Sequence, residues 1–329
     1  MSDRPVRVQV FGRTDVGKAR DHNEDSFIVA DLTTRKASLQ PDVREHEVGR
    51  RGTLFMVADG MGGAAAGEVA SEMATTTVYN HMVTQWGGDQ EVTEQRFAYR
   101  LKEAVEIANQ QIHEYATNHL EVRGMGTTTT AAGVFQGSLY LTQIGDSRGY
   151  LIRKGRIAQI TKDQSLMQRL VDAGELTEEE AAVSERRNII LQALGPDPHV
   201  KVDLTRQDLC RGDVLVMCSD GLSGLVKKEE ILSTVTQATD LVTACKVLID
   251  QANGRGGPDN ITCIVARFSG DGLAEPDGSE PLGHRVYPLL DTESTTDPVP
   301  VYKPEDDAAR KTKPAPRKTD PDKKKWWPF

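Results

Sequence analysis

Four cysteines in 329 residues, at positions 210, 218, 245 and 263, are too few for a disulfide framework, and none stands in a Cys-x-x-Cys pair. They read as core thiols of a reducing compartment, which excludes a stapled secreted fold and a thiolate zinc site. Positive charge is also short. Forty Lys and Arg against 49 Asp and Glu leave a net −9, which argues against a protein that neutralises nucleic-acid phosphates. Residues 1–14 carry charge where a signal peptide needs an apolar stretch. Residues 124–145 hold no charged side chain, but Thr127–Thr130, Gly133, Gln136, Gly137 and Gln143 break the run, and two strands with a turn explain it better than a membrane span. There is no lipidation signal. A soluble cytoplasmic domain is expected.

Proline is scarce until late. Five of the 15 prolines precede position 269 and ten follow it. The expectation is one domain over 1–269 and a disordered, Pro-rich, charged tail over 270–329, which has too little apolar content to fold alone. A domain of that size buries roughly 70–75% of its unfolded surface, needs no staple and is expected as a monomer.

What is present is a set of β-rich runs: 26–30, 53–58, 127–135, 139–144, 148–153, 156–160, 213–218 and 261–268. Turns such as Gln136-Gly137 and Lys154-Gly155 join the middle ones into an antiparallel meander. Helical spacing runs through 66–83, 93–119 and 240–252; in the second, Phe97, Leu101, Val105, Ala108, Ile112 and Tyr115 share a face. Strand groups with helices between them imply an α+β domain, sheets inside and helices outside. Residues 32–52 are polar and aperiodic and read as a surface loop. Residues 162–188 read as two short helices, the second opened by a capping box of Thr177 with Glu180. An excursion of that length beside the meander points to function.

The aspartates stand in telling places. Three apolar runs end in an acid followed by a small residue, at Asp59-Gly60, Asp146-Ser147 and Asp220-Gly221, and two more are entered from acids, at Asn23-Glu24-Asp25 and Asp259-Asn260. One Asp-Gly is turn chemistry; in an antiparallel sheet, five such termini can meet at one rim. Carboxylates so gathered repel one another's charge unless cations lie among them. An oxygen-rich donor set selects Mg²⁺ or Mn²⁺ over zinc. Two such ions activate water and clamp an in-line displacement at phosphorus. Arg20, four residues before Glu24, can hold the phosphoryl oxygens.

In this order the segments Thr14-Asp15-x-Gly17-x-x-Arg20-x-x-Asn23-Glu24-Asp25, Val57-Ala58-Asp59-Gly60-Met61-Gly62-Gly63, Gly126-Thr127-Thr128, Gly145-Asp146-Ser147-Arg148, Ser219-Asp220-Gly221-Leu222 and Asp259-Asn260-Ile261-Thr262 resemble the metal-dependent serine/threonine protein phosphatase family, type 2C, in its bacterial form. The likeness spans about residues 8–268. It implies two packed antiparallel sheets flanked by helices on both sides, and hydrolysis of phosphoserine and phosphothreonine by attack of a metal-bridging water. By the resemblance Asp59 bridges two metals, with Glu24 and the Gly60 carbonyl on one and Asp220 and Asp259 on the other. Asp146 with Asp220 matches a weaker third site. Asp25 matches an acid orienting metal-bound water, Asn260 a support for Asp259, and Arg20 the phosphate-binding arginine. Residues 162–188 match the flap that contributes to substrate choice. Met61 stands where animal members place a histidine. The expected partners are phosphoproteins, Ser/Thr kinases and their targets among them.

Other readings weigh less. Gly60-Met61-Gly62-Gly63 lacks dinucleotide-loop spacing, Thr127–Thr130 read as strand residues, and Ser147 and Ser219 have no adjacent base. The alternatives are a phosphatase of small esters or of a sigma-cascade regulator, and a non-catalytic binding module. The segment 310–329 carries eight Lys/Arg and two Asp and ends Lys-Lys-Lys-Trp-Trp-Pro-Phe, a pattern suited to peripheral membrane contact or to docking a partner protein.

Overall fold

The computed structural model describes residues 4–38, 44–62 and 66–289. Gly63 and most of the C-terminal segment, with its basic-aromatic ending, lie outside the described residues. The first half runs β1 (Arg7–Asp15), β2 (Asp25–Asp31), β3 (Lys36–Ser38), β4 (Arg44–Glu47), β5 (Thr53–Met61), α1 (Ala66–His81), α2 (Glu94–Asn118), β6 (Gly126–Thr127), β7 (Thr129–Phe135) and β8 (Ser138–Ile144). It continues with β9 (Arg148–Arg153), β10 (Arg156–Gln159), α3 (Leu166–Asp172), α4 (Glu178–Val183), β11 (Asp203–Asp208) and β12 (Val214–Cys218). Last come α5 (Asp220–Ser223), α6 (Lys228–Gln237), α7 (Leu241–Gly254) and β13 (Ile261–Ser269).

Two antiparallel sheets result, one ordered β10-β9-β12-β13-β1-β4 and the other β11-β8-β7-β5-β2-β3, with β6 paired to the end of β5. The strand period of two explains the layering. Along β5, Phe55 and Val57 enter the core between the sheets with Val10, Phe27, Leu215 and Ile264. Leu54, Met56 and Ala58 point the other way, into a second core under α1 and α2 with Met73, Phe97 and Leu101. Both faces are buried, so β5 reads in sequence as an unbroken apolar run. A third core lies between the other sheet and α5–α7, where Val216, Cys218 and Val265 meet Leu222, Ile231 and Leu248. The order is therefore helix, sheet, sheet, helix, as expected. Thr93 caps α2 and Asp240 caps α7 through their side chains, and Thr177 with Glu180 forms the capping box on α4.

Two expectations change. Residues 32–52 are more than a loop: β3 pairs with β2, β4 pairs with β1, and Leu32 is buried. Both are short edge strands, whose polar alternation leaves little apolar signal. Residues 270–289 do not leave the domain. Leu273 is buried in the inter-sheet core, the Tyr287 N–H donates to the Leu204 carbonyl at 2.8 Å and the Arg206 N–H to the Arg285 carbonyl at 3.1 Å. This segment seals β11, the sheet's edge, by backbone pairing that composition does not reveal.

Arg153 on β9 lies at 2% exposure and Asp213, before β12, at 0%, joined by bonds of 2.8 and 2.6 Å. An Arg153→Ala variant leaves Asp213 buried without its partner. It is expected to lose about 3–5 kcal/mol in urea unfolding, whereas Lys162→Ala, which breaks an exposed pair with Asp172, is expected to lose under about 1 kcal/mol.

Candidate metal centre

Strand pairing sets the rim. In the β2–β5 register Asp25 stands opposite Asp59, and the Gly60 N–H donates to the Glu24 carbonyl at 3.1 Å. Helix α1 then starts close beneath. A Cβ on Gly60 would lie 2.2 Å from the Gly67 carbonyl oxygen, and one on Gly67 would lie 2.7 Å from Glu24 Oε1. These two glycines let the strand end, the Glu24 carboxylate and the first turn of α1 meet. On the other sheet Cys218 faces Cys263, so Ser219-Asp220 abuts Asp259-Asn260-Ile261-Thr262; a Cβ on Gly221 would lie 2.0 Å from the Asn260 carbonyl oxygen. Asp146 occupies the turn between β8 and β9.

The electrostatics join these segments. Withdrawal from water is the main force raising Asp59 well above the carboxylate range, and the charges of Asp25, Asp220, Asp146 and Asp259 add to it. Burial raises Asp25 to about 7, assisted by Asp220 and Asp259 and opposed by its hydrogen bonds. Asp146 reaches about 7 through burial, then Asp220 and Asp163. Asp220 is raised by burial and Asp259. Two guanidiniums oppose this charge. Arg20 Nη2 donates to Asp259 Oδ2 at 2.9 Å, and Arg148 is already held by Asp163.

Asn260 does more than support Asp259. Its N–H donates to Asp259 Oδ1 at 2.9 Å, its Oδ1 accepts the Glu24 N–H at 2.8 Å, and its Nδ2 donates to the Val16 and His22 carbonyls at 2.9 Å. It hangs the Arg20 loop from β13. His22 itself is exposed. Asp25 Oδ2 accepts from Ser219 Oγ at 2.8 Å and Thr262 Oγ1 at 2.6 Å. The sequence reading set Ser219 and the threonines aside, yet they build the site. Thr128 Oγ1 accepts the Asp59 N–H at 3.2 Å and bonds Ser147 Oγ at 2.8 Å, linking the Asp59 and Asp146 turns. The signal was adjacency: each hydroxyl neighbours an acid or its strand partner.

The residues fit hard divalent cations. Among the described residues no three Asp, Glu, His or Cys side chains are drawn tightly enough to enclose an ion as they stand, so the fit rests on the chemistry of the donors. Asp25 Oδ1 is buried with no hydrogen-bond partner, and the donors are oxygens throughout.

Comparison with known proteins decides the family. The model of the family described as protein phosphatase 2C matches residues 34–252. The chain belongs to the protein phosphatase 2C family. It is 35% identical over 254 residues to the serine/threonine phosphatase stp of Listeria welshimeri, covering 77% of this chain and 93% of that one. It is 38% identical over 258 residues to the protein phosphatase PhpP of Streptococcus pneumoniae, covering 78% and 96%. The crystal structure of the catalytic domain of the phosphatase PstP with two manganese ions superposes with a TM-score of 0.65 at 36% identity, over 80% of this chain and 99% of that one. This 2C-type phosphatase is thus a member of a metal-dependent hydrolase family, and among its described residues no helix is long and apolar enough to cross a membrane.

Proposed function

We propose that this phosphatase hydrolyses phosphoserine and phosphothreonine esters of proteins with Mg²⁺ or Mn²⁺ at the carboxylate rim. The observation that carries the reading is the set of four acids from separate chain segments, Asp25, Asp59, Asp146 and Asp220, with raised proton affinity, beside Asp259 and the half-exposed guanidinium of Arg20. Glu24, Asp59 and the Gly60 carbonyl would hold one cation and Asp59, Asp220 and Asp259 another, with Asp146 and Asp220 at a weaker third site. Bound there, the cations supply positive charge to the phosphoryl oxygens and a water acidic enough to attack phosphorus. The chain's own residues do the rest. Arg20 offers a planar fork to the phosphoryl oxygens, and the loop carrying it is fixed by Asn260 and by the Lys18 and Ala19 N–H groups on the Gly257 carbonyl, at 2.7 and 3.2 Å. Asp25, gripped by Ser219 and Thr262, offers its second oxygen as a proton acceptor beside Asp59.

Phosphate release from a phosphothreonine peptide tests this reading. Release is expected with Mn²⁺ and lost with chelator. Release from small esters with none from the peptide would favour the small-ester alternative. Arg20→Ala is expected to raise KM about 10–100-fold with a smaller fall in kcat, the mark of a group that grips the phosphate in ground and transition states alike. The four free, buried cysteines suit a reducing cytoplasm. Ser/Thr kinases and their targets are the partners this activity implies, acting on a monomer. Docking through residues 310–329 stays a proposal from sequence.

A further inference from the structure

The flap over residues 162–188 begins, just after β10, against the turn that carries Asp146. Gln164 closes a two-way bond with Gly145: its N–H donates to the Gly145 carbonyl at 2.9 Å, and its Oε1 accepts the Gly145 N–H at 3.0 Å. Its Nε2 reaches the Gln143 carbonyl at 3.3 Å. One residue earlier, Asp163 takes Arg148 from the far side of the same turn, with Nε 2.9 Å and Nη2 2.7 Å from Oδ2, and also accepts from Gln159 Nε2 at 2.7 Å. The turn thus has flap residues bonded at both of its ends, before and after Asp146. The chain returning from the flap closes on Gln164 and its near neighbour: the Leu191 N–H donates to the Gln164 carbonyl at 2.7 Å, and the Leu166 N–H to the Ile189 carbonyl at 2.8 Å. The rest of the flap, α3 and α4 included, hangs from this knot. Gly145 has a φ of +95°, a left-handed backbone that glycine adopts without strain.

We infer that Asp163 and Gln164 are positioning residues for Asp146, so that the flap and the Asp146 carboxylate move as one body. This rests on the reading that Asp146 holds a divalent cation. Two consequences are tied by thermodynamic reciprocity. An ion at Asp146 steadies the flap, and a partner that steadies the flap tightens the ion. A phosphoprotein pressing on the flap would then complete the site it is about to use, whereas a small phosphate ester, which does not reach the flap, would not.

The test uses the full chain and Mn²⁺ as the probe, with two readouts: Mn²⁺ binding followed by electron paramagnetic resonance, and tryptic cleavage at Arg186 and Arg187, both exposed on the flap. In the wild type, filling of the weakest Mn²⁺ site is expected to slow flap cleavage about fivefold or more. Asp146→Asn should lose both that site and the slowing. Gln164→Ala removes two side-chain bonds and no charge. It should keep the tighter Mn²⁺ sites, weaken the weakest about tenfold, the effect typical of a partner that orients a ligand, and move the protection to the same higher Mn²⁺ concentration. Asp163→Asn, which loosens Arg148, should act in the same direction. Gln164→Ala titrating and resisting trypsin like the wild type would overturn the inference while leaving the cation reading intact, as would a wild-type flap cut at one rate whatever the Mn²⁺ concentration. No Mn²⁺ binding at all would overturn the cation reading, and this inference with it.

Discussion

Asp59→Asn is expected to cut phosphate release by about a thousandfold or more while making the metal-free protein harder to unfold. The two effects share one cause. Asp59 ends β5 opposite Asp25, and its backbone is pinned by Thr127 Oγ1, Thr128 Oγ1 and the Thr128 N–H. Asparagine keeps the shape and those backbone bonds, so the strand end survives. What it removes is a carboxyl whose ionisation is opposed first by burial and then by the charges of Asp25, Asp220, Asp146 and Asp259. Without cations the substitution removes the cost of keeping that carboxyl un-ionised at neutral pH, so Tm is expected to rise. With cations it deletes the carboxylate that, on the proposed reading, both ions would share, and with it the means to activate water for an in-line displacement. A variant that lost activity through misfolding would lose Tm as well, so calorimetry beside a phosphate-release assay separates the two accounts.

The second large effect is on stability. In the metal-free protein Asp25 and Asp146 hold their protons up to about pH 7, whereas unfolded they ionise near ~3.9. A carboxyl raised in the folded state contributes stability that is full below the unfolded value and lost as pH rises through the folded one. Stability without cations is therefore expected to fall between about pH 4 and 7, by roughly 2–4 kcal/mol in total, because coupled groups share their protons. Mn²⁺ held as proposed would replace the protons with fixed positive charge. Urea unfolding at pH 5.5 and 8.0, with chelator and with Mn²⁺, should show a steep loss toward pH 8 in chelator and a cation-induced gain that is larger at pH 8 than at 5.5. Equal gains at both pH values would mean that the cations do not replace those protons.

The sequence announced the sheet strands that are buried on both faces. The unbroken apolar runs of β5 and β12 end at acids and that of β13 is entered from one, and strand register then carries those acids to one rim, so the placement of Asp59, Asp220 and Asp259 was legible before any coordinates. Apart from β10, edge elements were not. The strands β3, β4 and β11, and the strap at 283–289, owe their place to backbone hydrogen bonds with a neighbouring strand, and backbone pairing leaves no side-chain period to read. The same limit hid the site's hydroxyls. Thr262 and Ser219 are ordinary strand and turn residues until β12 and β13 are aligned with Cys218 opposite Cys263, which carries both to Asp25. Asn260 shows another limit. Its neighbour in sequence is Asp259, but its amide spends its bonds on Glu24, Val16 and His22, partners more than 230 residues away.

Anomalous scattering at the manganese edge, from crystals of the full chain grown with Mn²⁺, tests the central claim most directly. The account predicts two strong peaks sharing Asp59, one beside Glu24 and the Gly60 carbonyl and one beside Asp220 and Asp259, with Arg20 released from Asp259. Manganese bound elsewhere, or a carboxylate rim left without a peak at saturating Mn²⁺, would contradict it.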